Sequence, residues 1–382
     1  METVKGFKDC SGEEAIKRQR IKEILVKNFE LYGFEPAETP IVEFEEFVKG
    51  ENVNDEAVSE IFKLQDRGKR KLALRYEFTF QLKRLASNKK LPYKIYQIGA
   101  VFRDEPVNAN RFRQFTQCDV DVIGSSLKED AAILALTSKV LRELGIKAEI
   151  NVNNRKLLNE ILEKEGVVKK EEVIRELDKL DKLPEKDVKE NLKKYKAEKI
   201  INIFKKTDSF FEQYDAYDEI KELKKYCNYY GVKFNFQSNL ARGLSYYNGT
   251  IFEVKTKDVK ETVCAGGSYL VNGVQSVGIS FGLERLSALA NVEIKGNKIL
   301  LISIGQDEET MKLSEELRNE DIPCLIAFGQ ISRALGYANS INADYVIFVG
   351  EKEVKKGKFK LKDMDSGKED MLKIKEIIKK LK

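Results

Sequence analysis

Three arginines and four side chains able to line a pocket fall within one stretch, YQIGAVFRDEPVNANRFRQFTQCDVDVIG, Tyr96 to Gly124. The stretch reads as strand, basic loop, strand. In the second strand Phe115, Gln117, Asp119 and Asp121 share one face, and Cys118, Val120 and Val122 share the other, because side chains alternate along a strand. Arg103, Arg111 and Arg113 lie between the strands, with Glu105 among them. Guanidiniums held above a floor of one aromatic, one amide and two carboxylates suit a ligand carrying both signs of charge. The arginines would take an anion such as a triphosphate through forked, charge-assisted bonds. The carboxylates would take an ammonium group or a ring N–H. The same residues also fit an ordinary hairpin whose loop arginines pair with neighbouring acids, and pattern alone does not separate the two.

The chain has no histidine. The usual general base, nucleophile activator and metal ligand are therefore missing. Chemistry must rest on carboxylates, arginine, tyrosine, a bound metal or the substrate itself. The five cysteines, Cys10, Cys118, Cys227, Cys264 and Cys324, are far apart and form no C-x-x-C. This argues against structural zinc and a disulfide scaffold, and fits a reducing cytosol. The N-terminus has no apolar core of a leader, and no apolar run reaches membrane-spanning length. Net charge is only +5, with 68 Lys and Arg against 63 Asp and Glu, so any basic surface must be local. At 382 residues, two or three domains are expected.

The elements that must position these residues are legible in outline. Residues 13–32 have helical spacing, with Ile16, Ile21, Ile24, Leu25 and Phe29 on one side and Gly33 placed to end the helix. Pro36 and Pro40 bracket a segment that cannot be a central strand. LALRYEFTF, residues 72–80, alternates strictly and predicts a strand, with Arg75, Glu77 and Thr79 facing one way and Leu74, Tyr76, Phe78 and Phe80 the other. Residues 128–144 predict an amphipathic helix, and IKAEINVNN a strand. From about Arg155 to Tyr230 the chain turns Lys/Glu-rich and helical. Strands and glycine turns return from about Phe234. After a short linker, KILLISIG (298–305), CLIAF, YVIFVG and KGKFKLKDM predict strands. DEETMKLSEELRNE, ISRALGYANSI and the basic KEDMLKIKEIIKKLK predict helices. The alternation implies a small α/β domain.

The Tyr96–Gly124 segment resembles motif 2 of the class II aminoacyl-tRNA synthetases in its histidyl form: F-R-x-E, a variable loop, R-x-R-Q-F-x-Q, and an acid four positions on. Phe102, Arg103, Glu105, Arg111, Arg113, Gln114, Phe115, Gln117 and Asp121 occupy every fixed position. Residues 13–47 resemble motif 1, residues 72–80 the family's L-R-P-E-x-T element with Tyr76 where proline is usual, and VGISFGLERL (277–286) motif 3. NLARGLSYYNGTIFEV (239–254) resembles the histidine-specific signature L-V-R-G-L-D-Y-Y.

The resemblance implies an α/β fold with an antiparallel-sheet catalytic core (1–154 and 231–290), a helical insertion (155–230), a linker (291–297) and an anticodon-binding domain (298–382). It implies activation of histidine by ATP and transfer to tRNA(His), in a cytoplasmic homodimer that does not enter membranes, with Mg²⁺ accompanying ATP and no residue assigned as a metal ligand. By resemblance Arg103 and Arg242 hold the α-phosphate as catalytic groups and Arg111 the γ-phosphate. Glu105 belongs to the nucleotide site, Phe115 stacks on adenine, and Arg285 stacks on the adenine or holds the γ-phosphate. Glu77, Thr79, Gln117 and Asp121 bind the α-amino group and ring nitrogens, and Tyr246, Tyr247 and Tyr269 line the amino-acid pocket. In this family an insertion at 155–230 lies near the tRNA acceptor arm.

Two further departures from the family pattern matter: Ser245 stands for aspartate, and Gly266-Gly267-Ser268-Tyr269-Leu270 stands for G-G-R-Y-D. The paired change fits matched loss of an ion pair from an intact pocket, altered substrate handling, or lost activity. Two other readings are open here. One is a non-catalytic synthetase-like paralogue, a histidine-sensing regulatory subunit. The retained arginines and the C-terminal unit argue against it. The other is a synthetase for a different amino acid, against which Arg242 and the tyrosine pair argue.

Overall fold

Residues 2–50, 56–108, 111–181, 183–241, 246–259, 261–293 and 297–382 are described in the computed structural model of the chain. They divide into two units, Met1–Glu293 and Ile294–Lys382.

In the first unit, helix α1 (Gly12–Leu31) buries Ile21, Leu25 and Phe29 completely. Ile16, predicted on the same stripe, is 43% exposed. The packed stripe begins only at Arg18, whose guanidinium reaches Glu284 at 2.8 Å. Gly33, at φ +80°, ends the helix as its position predicts, and Phe34 donates back to the Phe29 carbonyl.

The strands in chain order are β1 (Glu35–Pro36), β2 (Val42–Phe44), β3 (Lys63–Gln65), β4 (Lys71–Leu74), β5 (Tyr93–Phe102), β6 (Gln114–Ile123), β7 (Glu149–Asn154), β8 (Asn235–Phe236), β9 (Tyr247–Lys255), β10 (Cys264–Val271) and β11 (Val274–Gly282). Eight form one sheet in the order β1-β5-β6-β11-β10-β9-β7-β8, and the other three form a small sheet, β2-β4-β3. The pairings from β5 to β7 are antiparallel; the two edge strands, β1 and β8, run parallel to their neighbours. Pro36 sits on the edge strand, where its missing N–H costs no ladder bond.

The predicted strand over 72–80 ends at Leu74. Residues 79–81 form a 3₁₀ turn instead. The reason is Arg75, which is buried and fully engaged. Its N–H donates to Ile41 O, its carbonyl accepts from Phe102 N, and its guanidinium donates to Ala100 O at 2.8 Å and Thr39 O at 2.7 Å. These bonds tie the small sheet to β5 and carry the chain across at that residue.

Behind the large sheet lie α1 and α2 (Leu127–Glu143), the latter opened by a Ser126/Glu129 capping box. Helices Arg155–Lys164, Lys170–Asp178, Glu185–Lys193 and Tyr217–Tyr229 occupy most of 155–230. Their apolar faces, with Leu158, Ile161, Ile174 and Leu192 buried, join the same core as the sheet. Helix α3 (Leu283–Leu289) follows β11 and contacts α1.

The second unit is a five-stranded sheet, β13-β12-β14-β15-β16, formed by β12 (Ile299–Ile304), β13 (Cys324–Phe328), β14 (Tyr345–Gly350), β15 (Phe359–Asp363) and β16 (Glu369–Leu372). Strands β13, β12 and β14 run parallel, as strand–helix alternation predicts. The two faces bury separate clusters, Leu301, Leu313, Leu317 and Ile377 on one and Leu300, Ala334, Ala338 and Val346 on the other. Two predictions fail here. Residues 369–372 form a strand, and the final helix is only Ile374–Leu381. A helix at Glu351–Lys356 was not foreseen. The turn at Asp363–Gly367 decides the first case. Asp363 takes the Ser366 N–H on its side chain and the Gly367 N–H on its carbonyl, and Gly367 has φ +71°. This turn folds the following residues back onto β15 whatever their helical composition.

Close strand packing makes one glycine critical. A Cβ at Gly266 would overlap the Gly278 carbonyl oxygen and lie 2.8 Å from Ile279 Cα. Gly266→Ala is expected to destabilise the first unit by about 3 kcal/mol, the upper end for overpacking. Chemical denaturation checks this; an unchanged midpoint would refute the packing account.

Candidate active site

A cavity of about 410 Å³ opens over the middle of the large sheet. Its floor is β6, whose Phe115, Gln117, Asp119 and Asp121 line it, while Cys118, Val120 and Val122 pack into the core behind. Gly278 and Ser280 of β11 stand opposite Asp121 and Asp119 in register. Tyr269 comes from β10, Tyr246 and Tyr247 from the start of β9, and Glu77 and Thr79 from the turn after β4. Arg103, Glu105 and Arg111 follow β5, and Arg285 projects from α3.

One end is cationic. The Arg103 guanidinium lies 5.2 Å from the Phe115 ring centroid, and its Nε donates to Tyr76 O at 3.2 Å. Arg111 pairs with Glu105 at 2.8 Å, and Arg285 donates to Thr262 O at 2.6 Å. Arg113 does not join them. It pairs with Asp104 at 3.1 Å and accepts close packing from Gly6, whose φ of +90° admits no side chain easily. Of the three loop arginines, the structure brings two into the cavity and uses the third to fasten the N-terminal segment.

The other end is acidic and buried. Tyr269 donates its hydroxyl to Asp121. Burial pushes the Asp121 carboxyl from 3.8 up to about 7, against the lowering effect of that hydrogen bond. Burial, followed by repulsion from Asp121, pushes Asp119 well above its ordinary range. Gln117 donates to Ser280 Oγ at 2.7 Å. The rings of Tyr246 and Tyr247 lie 4.9 Å apart and those of Tyr246 and Tyr269 5.6 Å apart, the latter edge to face. Between the two ends runs a gradient from guanidinium to carboxylate.

Sequence reasoning passed over Glu284, although it adjoins Arg285. Its carboxylate accepts the Thr116 N–H on both oxygens at 3.1 Å and the Arg18 guanidinium at 2.8 Å, clamping β6 to α1 and α3. Glu60 also lines the cavity and carried no motif signal. Ser268 is not among the lining residues. An irregularity in the β9–β10 register between Gly267 and Tyr269 falls at this position. The Ser268 hydroxyl donates to Asp130 of α2 at 2.8 Å. The change from arginine thus acts behind the sheet, where burial raises Asp130 to about 6. Arg242 and Ser245 lie outside the described residues.

Residues 6–286 match the family described as histidyl-tRNA synthetase, and residues 298–382 match the anticodon binding domain. Histidine–tRNA ligase 1 of Bacillus cereus is 33% identical, over 97% of this chain and 96% of its own length. The chain belongs to the histidyl-tRNA synthetase family. A relative from Bacillus anthracis, also named histidine–tRNA ligase 1, is 34% identical over 96% of each chain. The crystal structure of the Nostoc sp. PCC 7120 histidyl-tRNA synthetase superposes with a TM-score of 0.86 at 25% identity, covering 99% of both chains. A Bacillus halodurans structure titled ATP phosphoribosyltransferase regulatory subunit/histidyl-tRNA synthetase shares the fold, with a TM-score of 0.78 at 21% identity over 91% of this chain. Fold alone does not separate ligase from regulatory subunit. The curated relatives and the C-terminal match favour the synthetase family's ligase branch over the regulatory reading.

Proposed function

We propose that the cavity activates histidine with ATP and that the chain then transfers it to tRNA(His), as an aminoacyl-tRNA ligase. The charge gradient along β6 supports this most directly. A phosphate-sized anion meets arginines at the Phe115 end, and an amino acid's donors meet acceptors at the Asp121 end.

In the first step the histidine carboxylate attacks the α-phosphorus of ATP, and pyrophosphate leaves. The nucleophile is already ionised, so no base is required, and the absence of histidine from the chain is no obstacle. The protein must bring two anions together and stabilise charge growing on the phosphate. Arg103, held by Tyr76 O and the Phe115 face, takes the α-phosphate, with Arg242 as its counterpart. Arg111, Glu105 and Arg285 take the rest of the nucleotide, with Phe115 under the adenine. Glu77, Thr79 and Gln117 take the ammonium group, and Asp121 with Tyr246, Tyr247 and Tyr269 takes the ring. Mg²⁺ is assigned to the nucleotide: it is bound mainly through phosphates and water, with one or two carboxylates. Among the described residues no group of three or more Asp, Glu or Cys side chains could hold an ion. Residues 298–382 present the tRNA anticodon site, and the 155–230 helices the acceptor-arm contact. The chain acts as a cytoplasmic homodimer; among the described residues no helix is long and apolar enough to cross a membrane.

Pyrophosphate exchange with a panel of standard amino acids tests the reading. Histidine alone is expected to support exchange. No exchange from folded protein that still binds histidine would move the assignment to a sensor. Arg242→Ala is expected to cut turnover far more than it weakens histidine binding, and wild-type turnover would remove it from the mechanism.

A further inference from the structure

Gln117 Oε1 and Asp119 Oδ1 are buried acceptors without a hydrogen-bond partner among the described residues. They sit two positions apart on the cavity face of β6, and Asp119 is only 6% exposed. The groups acting on Asp119 include Asp121 on its own strand, Arg75 just after β4, Glu77 from the turn that follows, Arg103 at the end of β5, Tyr269 on β10 and the Ser280 hydroxyl on β11. Tyr269, on β10, is held by Asp121. Among the described residues, three carboxyls thus share a small buried volume with the guanidiniums of Arg103 and Arg75. Carboxylates buried this close together resist full ionisation.

Unpartnered acceptors in a negative setting suit a ligand with several N–H donors and a positive charge. Two residues advance about 7 Å along a strand. Asp119 therefore lies between the Arg103–Phe115 end and the Asp121–Tyr269 end. An amino acid laid with its carboxylate toward Arg103 and its ring toward Asp121 puts its ammonium group beside Asp119.

We propose that Asp119 is a further acceptor for the α-ammonium group, beside Glu77 and Gln117, and that this ammonium replaces a proton shared by Asp119 and Asp121 in the empty cavity. The proposal rests on the histidine-activation reading and adds a proton to its binding stoichiometry. No covalent bond to carbon, nitrogen or phosphorus changes. The carboxyl O–H gives its proton to solvent, and the incoming N–H groups supply the positive charge.

Calorimetric titration near neutral pH, in two buffers of different protonation enthalpy, reads the proton directly. Histidine is compared with imidazole-4-propionate, which keeps the ring and carboxylate and lacks the ammonium group. The wild-type protein should release about one more proton with histidine than with the analogue. Asp119→Asn should release less than half that difference. In pyrophosphate exchange the same variant should raise the histidine KM about tenfold with kcat nearly unchanged, since a neutral acceptor replaces a charged one. Its inhibition by imidazole-4-propionate should stay as in wild type. The wild-type proton count decides the matter even if the variant folds poorly: equal release with both ligands overturns the proposal. A folded Asp119→Asn with unchanged histidine KM, or one that weakens both ligands equally, also overturns it. Absence of any histidine-dependent exchange in the wild type would instead overturn the underlying functional reading.

Discussion

Arg103→Ala should lower histidine-dependent pyrophosphate exchange about 10³-fold, roughly 4 kcal/mol of transition-state stabilisation, while histidine binding changes by about threefold or less. The asymmetry follows from where the guanidinium sits. Its Nε is anchored on the Tyr76 carbonyl and its plane lies near Phe115, so it is in place before substrate arrives. It stands at the opposite end of the cavity from Asp121 and the tyrosines, which take the amino-acid ring. Charge that grows on the α-phosphate as the carboxylate attacks meets a group needing no reorganisation. Arg103→Lys should restore little, because an ammonium cannot keep both the anchor and a forked contact. Equilibrium binding of histidine and steady-state exchange, measured on the same preparations, separate the two effects. A loss under about tenfold would remove Arg103 from the phosphate site.

Asp121→Asn should make the protein more stable and nearly useless as a ligase. The carboxyl titrates near 7 in the folded cavity and near 3.8 when ordinary. Below pH 3.8 both states carry the proton and the residue is neutral in its effect. As pH rises from about 4 to 7 the unfolded chain ionises first, so stability present at low pH is progressively lost, up to about 4 kcal/mol. An asparagine escapes that loss. Denaturant unfolding at pH 7 should show the variant ahead by about 2–4 kcal/mol, with the gain vanishing near pH 4. Its histidine KM should rise about a hundredfold, because the amide cannot match a charged acceptor for the ring N–H. A variant no more stable than wild type at pH 7 would sink the burial argument.

Much of the site was legible because β6 writes it in the simplest code available. Alternation placed Phe115, Gln117, Asp119 and Asp121 on one face, and that is the floor observed. The family resemblance likewise points Glu77, Thr79, Tyr246, Tyr247 and Tyr269 to one pocket, and all five line this cavity. The failures are tertiary. Strict alternation over 72–80 describes a strand until Arg75, whose carbonyl partners belong to segments near residues 39 and 100. No local pattern reports such partners. Residue pattern alone groups Arg113 with Arg111, and its pairing with Asp104 and the packing of Gly6 against it set it apart. Glu284 was hidden for the same reason, since its two partners are 168 and 266 residues away. The Glu369–Leu372 strand lost to composition: lysine and leucine suggest a helix unless the preceding turn is weighed first.

The position of β6 bears on how such a pocket could be retuned. The strand is hydrogen-bonded on both sides, to β5 and β11, over most of its length. Its rear side chains at 118, 120 and 122 belong to the core, and its front ones at 115, 117, 119 and 121 line the cavity. Libraries randomised at 117, 119 and 121 should therefore yield mostly folded members that differ in the amino acid they accept. Those randomised at 118, 120 and 122 should yield mostly aggregates. Ligand preference can wander through the front positions while the rear ones stay fixed, so substrate choice and foldability are inherited along one strand as separable traits.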